Sequence, residues 1–180
     1  MNAKQVSIIG LSVALCAAFT PPLSATDQHD NHDVSVGLLS AVREATQDFR
    51  DANVAIAAGY ASLGSCVSGP ERGAMGIHYG KPALIGDPGI DAATPELLIY
   101  EQRGSRLYLV GVEFLVLADA WNALHSGPPV LMGQHFQLVS APNRYGLPAF
   151  YELHVWAWRD NPFGAFVDWN PEVSCAEFVG

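Results

Sequence analysis

The sequence lacks the short motifs by which chemistry is usually read from one dimension. No H-x-H, H-E-x-x-H or C-x-x-C spacing occurs in its 180 residues, so any metal site has to be assembled from distant segments. No serine sits in a G-x-S-x-G elbow, which removes the usual nucleophile of an α/β-hydrolase. Basic residues are scarce: nine Lys and Arg face 18 Asp and Glu, a formal net charge of −9. Such a surface repels a phosphate backbone, so nucleic acid is not an expected partner, whereas cations are compatible with it. After residue 25 no stretch supplies the roughly 20 apolar residues that a membrane-spanning helix needs. Internal repeats and low-complexity segments are also missing, and cysteine is limited to Cys16, Cys66 and Cys175.

The beginning of the chain is different in kind. Lys4 precedes an apolar run over residues 8–19, and Leu23-Ser24-Ala25 ends in a small residue. This is the pattern of a secretory signal peptide over residues 1–25, and the expected location is periplasmic or secreted. Leu15 stands before Cys16, where a lipid-attachment signal requires a small residue, so a lipid anchor is not expected. With the leader removed, eight basic side chains face 18 acidic ones, a charge of −10. Cys66 and Cys175 then form an even pair in an oxidising compartment, and a disulfide between them is expected. Residues 26–33 (TDQHDNHD) are expected to be a flexible polar leader in which His29 and His32 offer only loose contacts to a cation. Residues 34–180 have the length of a single domain.

Two grammars divide that domain. Leu38, Val42, Ala45, Phe49, Ala52, Ile56 and Leu63 recur at steps of three and four, which predicts one long amphipathic helix of about 25 residues. Beyond Gly64, short apolar runs alternate with glycine and proline. Residues 97–102 and 106–117 flank Arg103-Gly104-Ser105 as one hairpin, and residues 135–140 and 147–159 flank a longer loop as another. The expected fold class is α+β, with one long N-terminal helix packed on a curved, mainly antiparallel sheet.

Polar residues inside the apolar strands carry the functional reading. Both faces of residues 106–117 are apolar, so the strand is predicted to be buried on both sides with Glu113 in its middle. A buried carboxylate stays protonated or finds a partner. In YELHVWAWRDNPFG (151–164), alternation places Glu152, His154, Trp156 and Trp158 on one face with Phe150. His78 and His135 each follow glycines that permit close approach of the backbone to another element. His78, Glu113, His135 and His154 come from four segments and are the expected ligands of a mononuclear transition-metal site, zinc or copper, because imidazole with carboxylate suits borderline cations. Glu152 is held in reserve, and Met75 and Met132 lean toward copper only weakly. An unliganded acid/base pair, a carboxylate orienting an imidazole, stays open although a nucleophile is missing, and so do two further readings. One is a buried polar contact in which Glu113 meets His154 or an arginine such as Arg159. The other is a small-molecule binding module whose apolar pocket is lined by Tyr100, Phe114, Phe150, Trp156 and Trp158. His125, ahead of Pro128-Pro129, is read as part of a structural plug at one end of the sheet.

The tracts GAMGIHY (73–79), PELLIYE (95–101), LVGVEFLV (109–116), YELHVWAWRDNPFG (151–164) and DWNPEVSC (168–175) together resemble a group of exported bacterial proteins of uncharacterised function. The resemblance covers roughly residues 66–175. It implies export and transfers no catalytic motif.

Overall fold

The computed structural model describes residues 26–180 apart from residue 70, and the side chains of residues 26–35 are not among those described. The expected signal peptide, Cys16 and the side chains of the polar leader with His29 and His32 therefore lie outside the described residues. The chain runs through α1 (Thr26–Thr46), a 3-10 turn (Gln47–Arg50), α2 (Ala52–Ala57), β1 (Ala61–Ser62), β2 (Val67–Gly69), β3 (Gly73–Gly80) and α3 (Pro82–Ile85). It continues through β4 (Leu97–Arg103), β5 (Arg106–Leu117), α4 (Ala118–Asn122), β6 (Val130–Leu131), β7 (Gln134–His135), β8 (Gln137–Val139) and β9 (Phe150–Val155).

Among the described residues seven strands form one sheet in the order β1-β3-β4-β5-β9-β8, with β2 paired to β3 beside that path. Every pairing in it is antiparallel, as expected. The two expected hairpins are β4–β5, turned at Gly104 with a positive φ of 57°, and β8–β9, joined by the loop of residues 140–149. β6 and β7 form a separate two-stranded ribbon.

The expected long helix is not there. The architecture is mainly sheet, and residues 38–63 are divided among the end of α1, the 3-10 turn, α2 and β1. Side chains and tertiary contacts interrupt the helical ladder at identifiable places. The Thr46 hydroxyl donates back to the Val42 carbonyl at 2.6 Å and accepts from the Trp158 indole at 3.0 Å. A back-bonded threonine of this kind bends or ends a helix. The Tyr100 hydroxyl claims the Phe49 carbonyl at 2.6 Å, and Asp51, extended, starts α2 by accepting from the Asn53 amide. Leu38 and Val42 are fully buried, but Ile56 and Leu63, counted in the same stripe, are half exposed, and Ala55 is buried in their place.

The sheet has apolar cover on both faces. On one face Leu38, Val42 and Ala55 pack with Ile77, Leu98, Tyr100, Val112, Phe114, Leu153 and Val155. On the other lie two smaller clusters, Ala74, Ile99, Val110, Trp156 and Val173 at one end and Leu97, Leu115 and Phe150 at the other. Strict alternation along β5 fails at one point. The register shifts so that Ile99 faces Gly111 while Tyr100 faces Leu109, which leaves Val110 as a bulge. Leu109 therefore shares a face with Val112 and Phe114, not with Glu113. β9 likewise stops at Val155, and Trp158 turns toward Thr46 and the helical face, away from Trp156.

Cys66 and Cys175 are joined, with Cα atoms 5.7 Å apart across a sequence separation of 109. Closing a loop of this length removes conformational freedom from the unfolded chain. Reduction, or the Cys66→Ala/Cys175→Ala pair of changes, is expected to lower stability by about 4 kcal/mol, read as a lower midpoint in urea unfolding with the m-value monitored.

Candidate metal centre

Three of the strands place one polar side chain each on the face opposite the helices. His78 comes from β3, Glu113 from β5 and His154 from β9. Glu113 and His154 are direct cross-strand partners. His78 lies opposite Ile99 of β4, and Glu113 opposite Leu97 of the same strand. The two side chains therefore reach toward each other across β4. Gly76 makes room for this arrangement. Its φ is +96°, and a Cβ there would stand 2.7 Å from the Tyr100 carbonyl oxygen, so only glycine lets β3 lie this close to β4. Gly111 does the same toward β9, where a Cβ would meet the Val155 carbonyl at 2.8 Å.

The result is a compact trio. His78 Nε2 lies 3.2 Å from Glu113 Oε2, and His154 Nε2 lies 3.7 Å from the same oxygen. The two imidazole rings are nearly perpendicular, with centroids 6.0 Å apart. One ligating atom from each residue falls within 4.8 Å of the others, and all three residues are buried. Yet both ring nitrogens of His78, both of His154 and both carboxylate oxygens of Glu113 lack a hydrogen-bond partner with acceptable geometry. Leaving a buried polar atom unsatisfied costs about 1–3 kcal/mol. One such atom from each residue, three in all, lies within 4.8 Å of the other two, an arrangement that a bound cation could satisfy.

A second group shares His154. Its Nδ1 lies 3.6 Å from Asp168 Oδ1, and Glu152, His154 and Asp168 also offer ligating atoms within 4.8 Å of one another. The Gln137 amide donates to Glu152 Oε1 at 3.0 Å and also to Asp168. Metal-ligating histidines commonly turn their second nitrogen toward a carboxylate in this way. Asp168 was not singled out from the sequence, because it lies in the irregular segment after β9 where no periodicity marks a residue.

Burial sets the protonation of the group. It pushes Glu113 up to about 8 and lowers His78 to about 4 and His154 to about 3, the last also disfavoured by His78. Glu152 is raised to about 9, first by burial and then by the charges of Glu113 and Asp168, and burial raises Asp168 too. Glu113, Glu152 and the two imidazoles thus share a dry space, with the part-exposed Asp168 at its edge, in which full ionisation of the acids is disfavoured without a positive charge.

The remaining expected site residues lie elsewhere. His135 is exposed on β7, paired with Val130 in the small ribbon, and joins neither group. Met132 is exposed and its methyl carbon sits 3.3 Å from where a Cβ on Gly37 would be, so it approaches the helix. Met75 is buried, with Tyr145 Oη 4.0 Å from its sulfur. Arg159 pairs with Glu101 at 3.2 Å, so it is not the cation for Glu113. His125 is exposed and its ring stacks on Trp121 at 3.7 Å between centroids. Tyr100, Phe114, Phe150 and Trp156 are core side chains distributed over both faces, and they do not surround a common cavity. Comparison with protein-family models, with curated proteins and with solved structures finds no match for the chain.

The pKa shifts fix the pH dependence of the cation-free protein. Groups raised by folding (Glu113, Glu152 and also Glu96, at about 8) hold protons that the unfolded chain has released. Their contribution is intact below about 4.5 and is lost as pH rises toward 8. The lowered histidines act oppositely, so stability falls as pH drops from about 6.5 toward 4. Urea midpoints in the presence of a chelator are expected to be highest between about pH 4.5 and 6.5 and to decline on either side. Glu96→Gln, whose parent accepts from the Leu115 amide at 3.0 Å, is expected to soften the alkaline decline and leave the acid one.

Proposed function

We propose that the protein is an exported metal-binding protein that holds one transition-metal ion on His78, Glu113 and His154. The carrying observation is that His78, Glu113 and His154, buried and without hydrogen-bond partners for their polar atoms, bring one ligating atom each within 4.8 Å of one another from three strands. Two imidazoles and a carboxylate form a donor set for a borderline divalent cation. Both cysteines described are used in the disulfide and Met132 is exposed, so with imidazole and carboxylate as the donors zinc is the favoured ion. Three protein ligands leave a coordination position for water or another small ligand, the pattern of reactive rather than purely structural zinc sites. Asp168, at Nδ1 of His154, would fix that imidazole with its other nitrogen toward the ion. Export is supported by the leader pattern of residues 1–25, by the resemblance to exported bacterial proteins and by the disulfide.

Elemental analysis of untagged protein, as purified or after incubation with zinc and copper followed by desalting, is expected to give about one metal per chain. His154→Ala and Glu113→Gln are expected to lower metal affinity at least about tenfold, and His135→Ala to leave it unchanged. A wild type that stays metal-free after both incubations sinks the proposal. Because the ligands are assembled only in the folded chain, zinc is expected to raise the thermal midpoint, and to raise it more at pH 8 than at pH 6, where Glu113 keeps its proton.

A further inference from the structure

A cavity of about 320 Å³ opens beside the trio, and His78 is part of its wall. This is near the lower limit of small-molecule sites. A larger depression of about 640 Å³ elsewhere holds no histidine, aspartate or glutamate side chain. The lining of the smaller cavity is mixed in chemistry. Leu63, Val67, Ile85 and Leu147 supply apolar lining, and Ser65, His78, Arg144 and Tyr145 supply polar lining.

Arg144 is an exposed side chain at the rim of this cavity. Among the described residues it enters no ion pair, and it rests over the Trp169 ring at 5.6 Å. It is nevertheless close enough for its charge to act on His78, Tyr145 and Asp168. The Tyr145 ring meets His78 edge to face at 5.9 Å, and its hydroxyl has only the Met75 sulfur within reach, at 4.0 Å. An exposed guanidinium that enters no ion pair among the described residues and an underused hydroxyl therefore line the same cavity as His78, the one ligand of the trio that faces it. A guanidinium recognises a carboxylate through parallel charge-assisted hydrogen bonds.

We infer that this cavity receives a small carboxylate with an apolar tail, its head group between Arg144, Tyr145 and the cation side of His78 and its tail against Leu63, Ile85 and Leu147. The inference rests on the metal reading above and adds the ligand class. Charge excludes an ammonium of equal length, and the apolar lining favours a longer tail over acetate.

The test uses protein loaded with cobalt(II), whose visible bands report the coordination position, with cobalt content measured for every sample so that affinities refer to bound cobalt. Hexanoate is expected to shift the bands and to bind at least about tenfold more tightly than acetate, through the apolar burial of its tail. Hexylammonium is expected to leave the bands unmoved. Arg144→Met is expected to weaken hexanoate at least about tenfold, as loss of a charge-assisted pair does, and Tyr145→Phe to weaken it less. Equal effects of hexanoate and hexylammonium, or an Arg144→Met protein with wild-type hexanoate affinity, overturn the carboxylate assignment while the metal reading stands. A wild type that takes up no cobalt overturns both.

Discussion

The fold turns on a sheet that is dry on both sides. Helical residues cover one face, and the other is closed by Trp156, Phe150, Tyr145 and the segment after β9. In a sheet half open to water, a glutamate opposite a histidine is an ordinary surface pair of small energetic consequence. Here neither Glu113 nor His154 has access to water, and the nearest alternative partner, His78, brings two more unpaired nitrogens. The polar face can be relieved by neutralisation, the carboxyl keeping its proton and the imidazoles giving theirs up, as the raised Glu113 and the lowered His78 and His154 express, or by a cation. The same dryness that makes the trio costly without an ion makes an ion's charge effective.

How much of this was legible depends on the kind of signal. Glu113 stood out because a strand apolar on both faces leaves no exit for a carboxylate, and that inference does not need the register to be right. It needed not to be, since the bulge at Val110 reverses the faces assigned to Leu107 and Leu109. His154 followed from alternation over the short regular part of β9. His78 and His135 were marked by the same cue, glycines just upstream, and here the cue splits. Gly76 serves a close approach between strands, whereas Gly133, at φ 79° beside Met132 at φ 45°, serves the turn of the β6–β7 ribbon. A positive-φ glycine looks alike in both settings. Asp168 and Arg144 lie in irregular segments, where position is decided by tertiary packing that one dimension does not record.

The long helix failed for a related reason. Its apolar spacing is real as far as Val42, but Thr46, Asp51 and the carbonyl of Phe49 have better partners outside a helix than within one. Periodicity counts side chains that seek the core and is blind to backbone groups that are claimed by a distant tyrosine or tryptophan. Antiparallel pairing was the more readable property, because the hairpin turns at Gly104 and in residues 140–149 are local.

The bridge between Cys66 and Cys175 has a topological effect distinct from its energy. The ring it closes contains β3, β4, β5 and β9, and with them His78, Glu113, Glu152, His154 and Asp168. A single peptide-bond cut in an exposed connection inside that ring, such as the one around Leu124, produces two fragments that remain one covalent molecule. Each would keep its strands in the sheet through partners on the other. Backbone cleavage by an external protease and loss of the trio are thereby uncoupled for as long as the disulfide stays oxidised.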